Sequence, residues 1–486
     1  MKKYILSALA ALALAGSLSS CKDYLDTNIY NGIDLETGLV NANNVSIALN
    51  GAYYQFQRSQ FTGNYAISIG DVVSDISYWN GNTGHWNNLY EFSYNDTDTY
   101  LNNIWTYGYK VADNTARVIK AVDEIYGEAS ESEKEELNLS KAEALALRAY
   151  ANFYLVNVYA HQVKVNGTDF SSKPGIVIVD QPVEALTDVT RSTVGETYNF
   201  IVNDLTQAIN LFKQVGDRGQ KIYMNLAGAE GLLARVSLYL EKWADAATYA
   251  QAALDDGGNP ALAYTQNEFA ALYANSTSNS ESFYYDAINA TTNWSANSTG
   301  TLWSTYNFSP SPYLKSLFAA DDARQAVMEM GGNTTDAVPV YNAGKFHHYE
   351  SGNSAYQTNY LINAPEMHLI IAEANAKQGN EAAAKAALLV VAKRNPAITS
   401  VDDISGDVMQ FIKEERAREL FQEGHRLWDL RRWGDKVNVS AYAAPAINYS
   451  YKNYDISELV FPIPVDEINA GFGVAQNDEW PNVMPK

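Results

Sequence analysis

Disulfides are excluded as a source of stability, because Cys21 is the only cysteine in 486 residues. The core must therefore carry the fold by itself. Basic side chains are also scarce, with 34 Lys and Arg against 56 Asp and Glu. That imbalance argues against nucleic acid, whose binding rests on neutralising phosphates, and against adhesion to anionic lipid through a basic patch. The apolar stretch from Tyr4 to Ala15 is too short for a stable membrane span, which needs about 20 residues. His-Glu-x-x-His, Gly-x-Ser-x-Gly and phosphate-loop patterns are missing. His347-His348-x-Glu350 could coordinate a metal. Adjacent histidines point in different directions on regular elements, so a solvated pair is expected, with no metal or cofactor. With 56 carboxylates, an Asp/Glu pair for glycoside cleavage could be proposed anywhere and signifies nothing.

What is present starts at the N-terminus. Met1-Lys2-Lys3 is a basic head, Tyr4 to Ala15 is apolar, and Leu18-Ser19-Ser20-Cys21 closes the stretch with small residues. This order is the layout of an export signal over residues 1–20. A cysteine directly after the cleavage point looks like a lipobox, which implies diacylglyceryl transfer to Cys21. Lys22-Asp23 resembles the charged tag of surface lipoproteins in Bacteroidetes. Lys2 and Lys3 leave with the signal, so 32 basic side chains face 56 acidic ones, a net of −24.

Residues 22–35 lack periodicity and read as a tether to a single folded domain within 21–486. Beyond them the signal is helical. Thr193-Val-Gly-Glu196 is a capping box, with Ile201, Leu205, Ala208, Ile209 and Phe212 on the face behind it. Ser140-Lys-Ala-Glu143 reads as another, opening a helix through Leu147 and Tyr154. Two stretches look like degenerate tetratricopeptide hairpins. One carries Leu233, Ala234, Trp243, Ala246, Ala250 and Leu254. The other carries Pro365, Ile370, Ala374, Gly379, Ala383, Ala387 and Val390. Small residues at these offsets let antiparallel helices approach closely. The fold class expected is thus mainly α, a scaffold of tetratricopeptide-like hairpins interrupted by long insertions.

Those insertions, residues 61–100 and roughly 255–362, are rich in Asn, Ser, Thr and Gly. Loops on a rigid scaffold are where binding residues tend to lie. Trp79, Trp86, Trp294 and Trp303 fall in them where no core periodicity asks for them. Aromatic faces with amide side chains suit sugars, which offer apolar C–H surfaces and many hydroxyls. The candidate ligand-stacking rings are those four tryptophans and Tyr306, with Asn80 and Asn88 supplying amide hydrogen bonds. The bland alternative is that Trp294 and Trp303 pin the insertion onto the helices.

The stretch 414–434, Glu-Glu-Arg-Ala-Arg-Glu-Leu-Phe-Gln-Glu-Gly-His-Arg-Leu-Trp-Asp-Leu-Arg-Arg-Trp-Gly, resembles the C-terminal signature of the SusD/RagB family of outer-membrane nutrient-binding lipoproteins. Phe461-Pro-Ile-Pro464, with Glu467-Ile-Asn469 behind it, is similar to that family's closing segment. Trp105-x-x-x-Tyr109 and Leu233-Ala-Arg-Val-Ser-Leu-Tyr-Leu240 match its helices. The block itself reads as structural, with Trp428 and Trp433 as buried anchors, Gly424 at a tight exit and His425 as a hydrogen-bonded packing residue. The resemblance implies a four-hairpin helical scaffold whose loops hold an oligosaccharide. It implies a non-enzymatic, lipid-anchored protein on the outside of the outer membrane, partnered by a TonB-dependent SusC-like transporter. A peptide-capturing RagB-like component and a surface glycoside hydrolase are the competing readings.

Overall fold

The computed structural model describes residues 38–79, 84–306, 308–328, 344–346, 353–356, 358–437, 454–456, 458–477 and 479–482. Cys21, Lys22, Asp23, the 22–35 tether, Asn80, His347, His348 and Glu350 lie outside them. Helices dominate. Those used below are α1 (Ala42–Phe56), α2 (Tyr65–Val72), α3 (Asn87–Tyr90), α4 (Thr99–Ile125), α5 (Glu131–Tyr159), α6 (Val194–Val215), α7 (Leu226–Tyr239), α8 (Trp243–Asp256), α9 (Thr299–Ser304), α10 (Ala364–Lys377), α11 (Glu381–Ala392), α12 (Val408–Leu420) and α13 (Arg426–Trp433).

The long helices form a row in which α4, α5, α6, α7, α8, α10 and α11 each pack on the next. α7–α8 and α10–α11 are the two small-residue hairpins. Although α8 and α10 are separated by the long insertion, they sit side by side, so the scaffold closes over the gap. Ala246, Ala250, Ala253 and Leu254 are buried as their spacing requires. In α11 the inward face is one residue further on than the pattern suggested. Ala384, Leu388 and Val391 are buried, whereas Ala383 is exposed and Ala387 and Val390 are half-buried. Gly379, at φ +78, makes the turn and fixes that register.

Capping decides where the helices start. The Thr193 hydroxyl accepts from the Glu196 N–H at 3.1 Å, and Glu196 accepts from the Thr193 N–H at 2.8 Å, as the box requires. Ser140 does not cap. It is buried within α5, and the box that opens this helix is Ser130–Glu133. Ser130 wins because it and Ala129 before it are extended, whereas the residues around Ser140 already have helical partners on both sides. From Ala142 onward α5 is buried on every side, the mark of a central core helix.

Residues 61–79 are not an open loop. All but Tyr65 are buried, with Phe61, Ile67, Ile69, Val72 and Ile76 in the core. Strand β1 (Ser77–Trp79) pairs antiparallel with β3 (Phe308–Pro310), placing Trp79 opposite Phe308. Strand β2 (Ser282–Asp286) pairs with β4 (Asn359–Asn363), which runs directly into α10. The two insertions that the sequence sets more than 150 residues apart are therefore joined by β-pairing.

The 414–434 block is structural. Trp428 and Trp433 are buried, and the Trp433 indole donates to Glu373 at 2.7 Å. Arg418 pairs with Glu415 three residues earlier at 2.7 Å. Arg416 instead reaches Asp429 of α13 at 2.7 Å, and Glu419 receives Arg324 and Arg394. His425 is buried, but its Nδ1 stands 3.8 Å from Glu366, beyond hydrogen-bond reach. Burial pulls its pKa down to about 3, so the ring packs as a neutral group.

Candidate functional site

A loop at residues 57–64 connects α1 to α2, and its geometry sets the site. The Thr62 hydroxyl donates to the buried Asp286 carboxyl of β2, and Asn359 of β4 donates to the Thr62 carbonyl at 2.9 Å. Burial pushes Asp286 up to about 7, against the Thr62 hydrogen bond. On its outer side the loop receives residues 294–306. Asn64 donates to the Asn297 carbonyl at 2.8 Å, and the Thr299 hydroxyl to the Gly63 carbonyl at 3.0 Å. Gly63 is required at this crossing, since a Cβ there would fall 2.3 Å from the Gln57 carbonyl oxygen and 2.6 Å from the Trp294 Nε1.

Aromatic rings gather at both ends of the docked segment. At one end Trp86 stacks on Tyr100 of α4 at 4.2 Å and 25°, and Tyr65 stands edge-on to both, at 5.6 and 5.0 Å. Trp86 holds φ +62, and its N–H donates to the Tyr100 hydroxyl at 3.3 Å. A non-glycine residue in this left-handed conformation marks backbone kept in place by its surroundings. Exposed His85 then stacks on half-buried Tyr306 at 3.8 Å and 18°. Tyr306 also adjoins the first group electrostatically. Burial raises the Tyr65 and Tyr100 phenols, Tyr100 to about 12, and Tyr306 adds to both.

At the other end Trp294 lies 6.3 Å from Tyr54, which is 53% exposed on α1. The Arg58 guanidinium sits 4.8 Å from the Trp294 ring, 5.4 Å from Tyr54 and 5.8 Å from Tyr107 of α4. Tyr107 and Tyr100 are seven residues apart, on one helical face.

The rings chosen from sequence divide by burial. Trp79, Trp86 and Trp303 are 7%, 2% and 2% exposed, each with its ring against another. They form the backing of the strip. Trp294 and Tyr306 are half-buried and Asn88 is exposed, so these three reach solvent. Tyr54, Tyr65, Tyr100, Tyr107 and Arg58 were not singled out by sequence. Their signal was an aromatic on the polar side of a helix, as where Tyr53 points inward and Tyr54 outward. The strip is an open face. A cavity of about 830 Å³, beside Val40, Lys120 and Val183, lies elsewhere.

Residues 23–238 match a family model described as starch-binding and associating with the outer membrane, and residues 326–480 match the model of the SusD family. The chain is similar to a SusD superfamily protein from Bacteroides thetaiotaomicron, at 22% identity and TM-score 0.80 over 90% of this chain and all of that one. It is similar to a putative sugar binding protein from Bacteroides vulgatus, at 25% identity and TM-score 0.79 over 90% of this chain and 98% of that one. A SusD superfamily protein from Bacteroides vulgatus aligns at 22% identity and TM-score 0.80 over 92% of this chain and 100% of that one. No curated protein matches. The scaffold, the signature block and these matches define a SusD-type helical protein. The chain belongs to the SusD/RagB family.

Proposed function

We propose that this protein is a non-enzymatic carbohydrate-binding lipoprotein. It would capture oligosaccharides at the outer face of the outer membrane and pass them to a TonB-dependent SusC-like transporter. The observation that carries this reading is the ring strip from Tyr54 and Trp294 to Tyr306 and His85, mounted where both insertions meet. Ring faces gain from apolar contact with sugar C–H surfaces, while the hydroxyls keep their bonds to amides or water. The side chains forming the strip are rings, an amide and cations, and none is a carboxylic acid that could serve as a glycosidase pair. Attachment is assigned to acylated Cys21, on the lipobox-like Leu18-Ser19-Ser20 before it; among the described residues no helix is long and apolar enough to cross a membrane. A Cys21→Ser variant should leave the membrane fraction, and its retention there without detergent would sink the anchor.

Calorimetry against a panel of oligosaccharides and peptides, with product analysis, tests the binding. Trp294→Ala and Tyr306→Ala should each weaken glycan binding by about 1–3 kcal/mol, by analogy with stacking on aromatics. Both should melt close to the parent, since both rings are half-buried. Trp303→Ala, which empties a fully buried site, should instead destabilise by about 3–5 kcal/mol. Turnover of any glycan, or peptide binding without glycan binding, would overturn the proposal.

A further inference from the structure

The chain has 13 arginines, and nearly all are spoken for. Among the described residues, Arg117, Arg148, Arg218, Arg235, Arg324, Arg394, Arg416, Arg418, Arg426 and Arg432 each meet a carboxylate within 4.0 Å. Arg191 and Arg431 donate to backbone carbonyls. Arg58 alone has neither. Its Nη1 donates to the Tyr54 hydroxyl at 2.7 Å and its Nε to the Gln60 amide oxygen at 3.3 Å, both neutral acceptors. Its Nη2 has no partner among the described residues.

In a chain with 22 more acidic than basic side chains, an arginine without an acid is conspicuous, and a second cation joins it. Lys110, exposed on α4 three residues after Tyr107, holds its Nζ 4.2 Å from the Tyr107 ring. That ring is also in contact with Arg58. No carboxylate among the described residues pairs with Lys110. Two cations thus converge on one ring at the Trp294 end of the strip.

We infer that Arg58 and Lys110 form a subsite for an acidic sugar unit, one bearing a carboxylate or a sulfate ester, next to the Trp294 face. The inference rests on the carbohydrate-binding reading above and adds the ligand's charge. Trp294, Tyr54 and Tyr107 hold the guanidinium plane in place, so little side-chain freedom is lost when an anion docks on the free edge. A planar fork presents N–H donors to two oxygens of a carboxylate or sulfate. A neutral sugar needs no such local cation. An acidic glycan approaching this surface does, because the net charge of the protein repels it.

Binding of four probes to the full-length protein, read by calorimetry, tests this. They are an oligogalacturonate, its neutral methyl ester, a sulfated galactan oligosaccharide and the desulfated form. At least one acidic probe should bind about tenfold or more tighter than its neutral partner, the range of a charged hydrogen bond, and that preference should shrink with added salt. The preference should fall about tenfold in Arg58→Gln and several-fold in Lys110→Gln. The carboxylate and sulfate arms identify which anion is read. Equal binding of acidic and neutral partners, or a preference untouched by either variant, overturns the subsite while the carbohydrate reading stands. An equal loss of both affinities in Arg58→Gln reduces Arg58 to a clamp on Trp294. No binding of any glycan removes the reading and the subsite together. Lys110 is exposed, so its variant stays informative if Arg58→Gln folds poorly.

Discussion

Gly424→Ala is expected to destabilise the protein by about 3 kcal/mol or more, measured by urea unfolding. Two costs combine. Gly424 holds φ +80, where an L side chain pays about 1–2 kcal/mol. Its added Cβ would also sit 2.5 Å from the Ile67 carbonyl oxygen, and backbone cannot step aside as a flexible side chain can. Overpacking of this kind costs typically another 1–3 kcal/mol. The contact is reciprocal, since a Cβ on Gly70 would meet the Gly424 carbonyl oxygen at 2.0 Å. Alanine ordinarily gains about 0.5–1 kcal/mol over glycine inside a helix, yet in α2 the clash outweighs it. The control is Gly379→Ala. Gly379 has nearly the same φ, +78, but nothing within 4 Å of the new Cβ, so only the backbone cost remains. If the two variants lose equal stability, close approach of α2 to the 424 turn is not what the glycine serves.

That contact also shows where sequence reading stops. Capping boxes are local, so Thr193–Glu196 could be found by spacing alone. The hairpins around Ala246 and Ala374 were legible for the same reason, because small residues at helical offsets need no distant partner to be recognised. The 61–79 stretch was not. Its Asn, Ser and Gly residues resemble a surface loop, and distant partners bury it, the signature block 350 residues later and strands β2 to β4 among them. Ser140 shows the converse error. A Ser-x-x-Glu pattern is necessary for a capping box but not sufficient, since a helix already in progress leaves no free N–H groups to cap. Of the four candidate tryptophans, Trp294 alone reaches solvent. Sequence drew attention to both insertions, which β1 and β3 then join. It could not show that Trp86 and Trp303 face inward while Tyr54 and Tyr107 face out. That depends on which side of α1 and α4 the rest of the chain covers.

Replacing Arg324 by Met should cost about 3–5 kcal/mol near neutral pH, the range for removing one partner of a buried ion pair. Arg324 is completely buried and serves three carboxylates, with Asp322 at 2.8 Å, Glu415 at 2.7 Å and Glu419 at 3.0 Å. Arg394 shares Glu419 and also holds Glu281 at 2.5 Å, while Arg418 holds the far oxygen of Glu415. Four acids thus face three guanidinium groups, and deleting the central one leaves four against two. The pH dependence distinguishes this from a simple packing defect. Burial works against ionised Glu415, but Arg324 and then Arg418 override it and hold its pKa at about 2. A carboxyl with a depressed folded pKa adds stability above its unfolded value near 4.5, and loses it as pH falls toward the folded value. Without Arg324 the folded pKa of Glu415 rises, so stability lost near neutral pH returns as Glu415 protonates. The gap between parent and variant should therefore be widest near about pH 8 and narrow toward about pH 4. A gap independent of pH would mean that Arg324 acts by filling space against Phe318 and its neighbours, 5.7 Å away, and not by balancing charge.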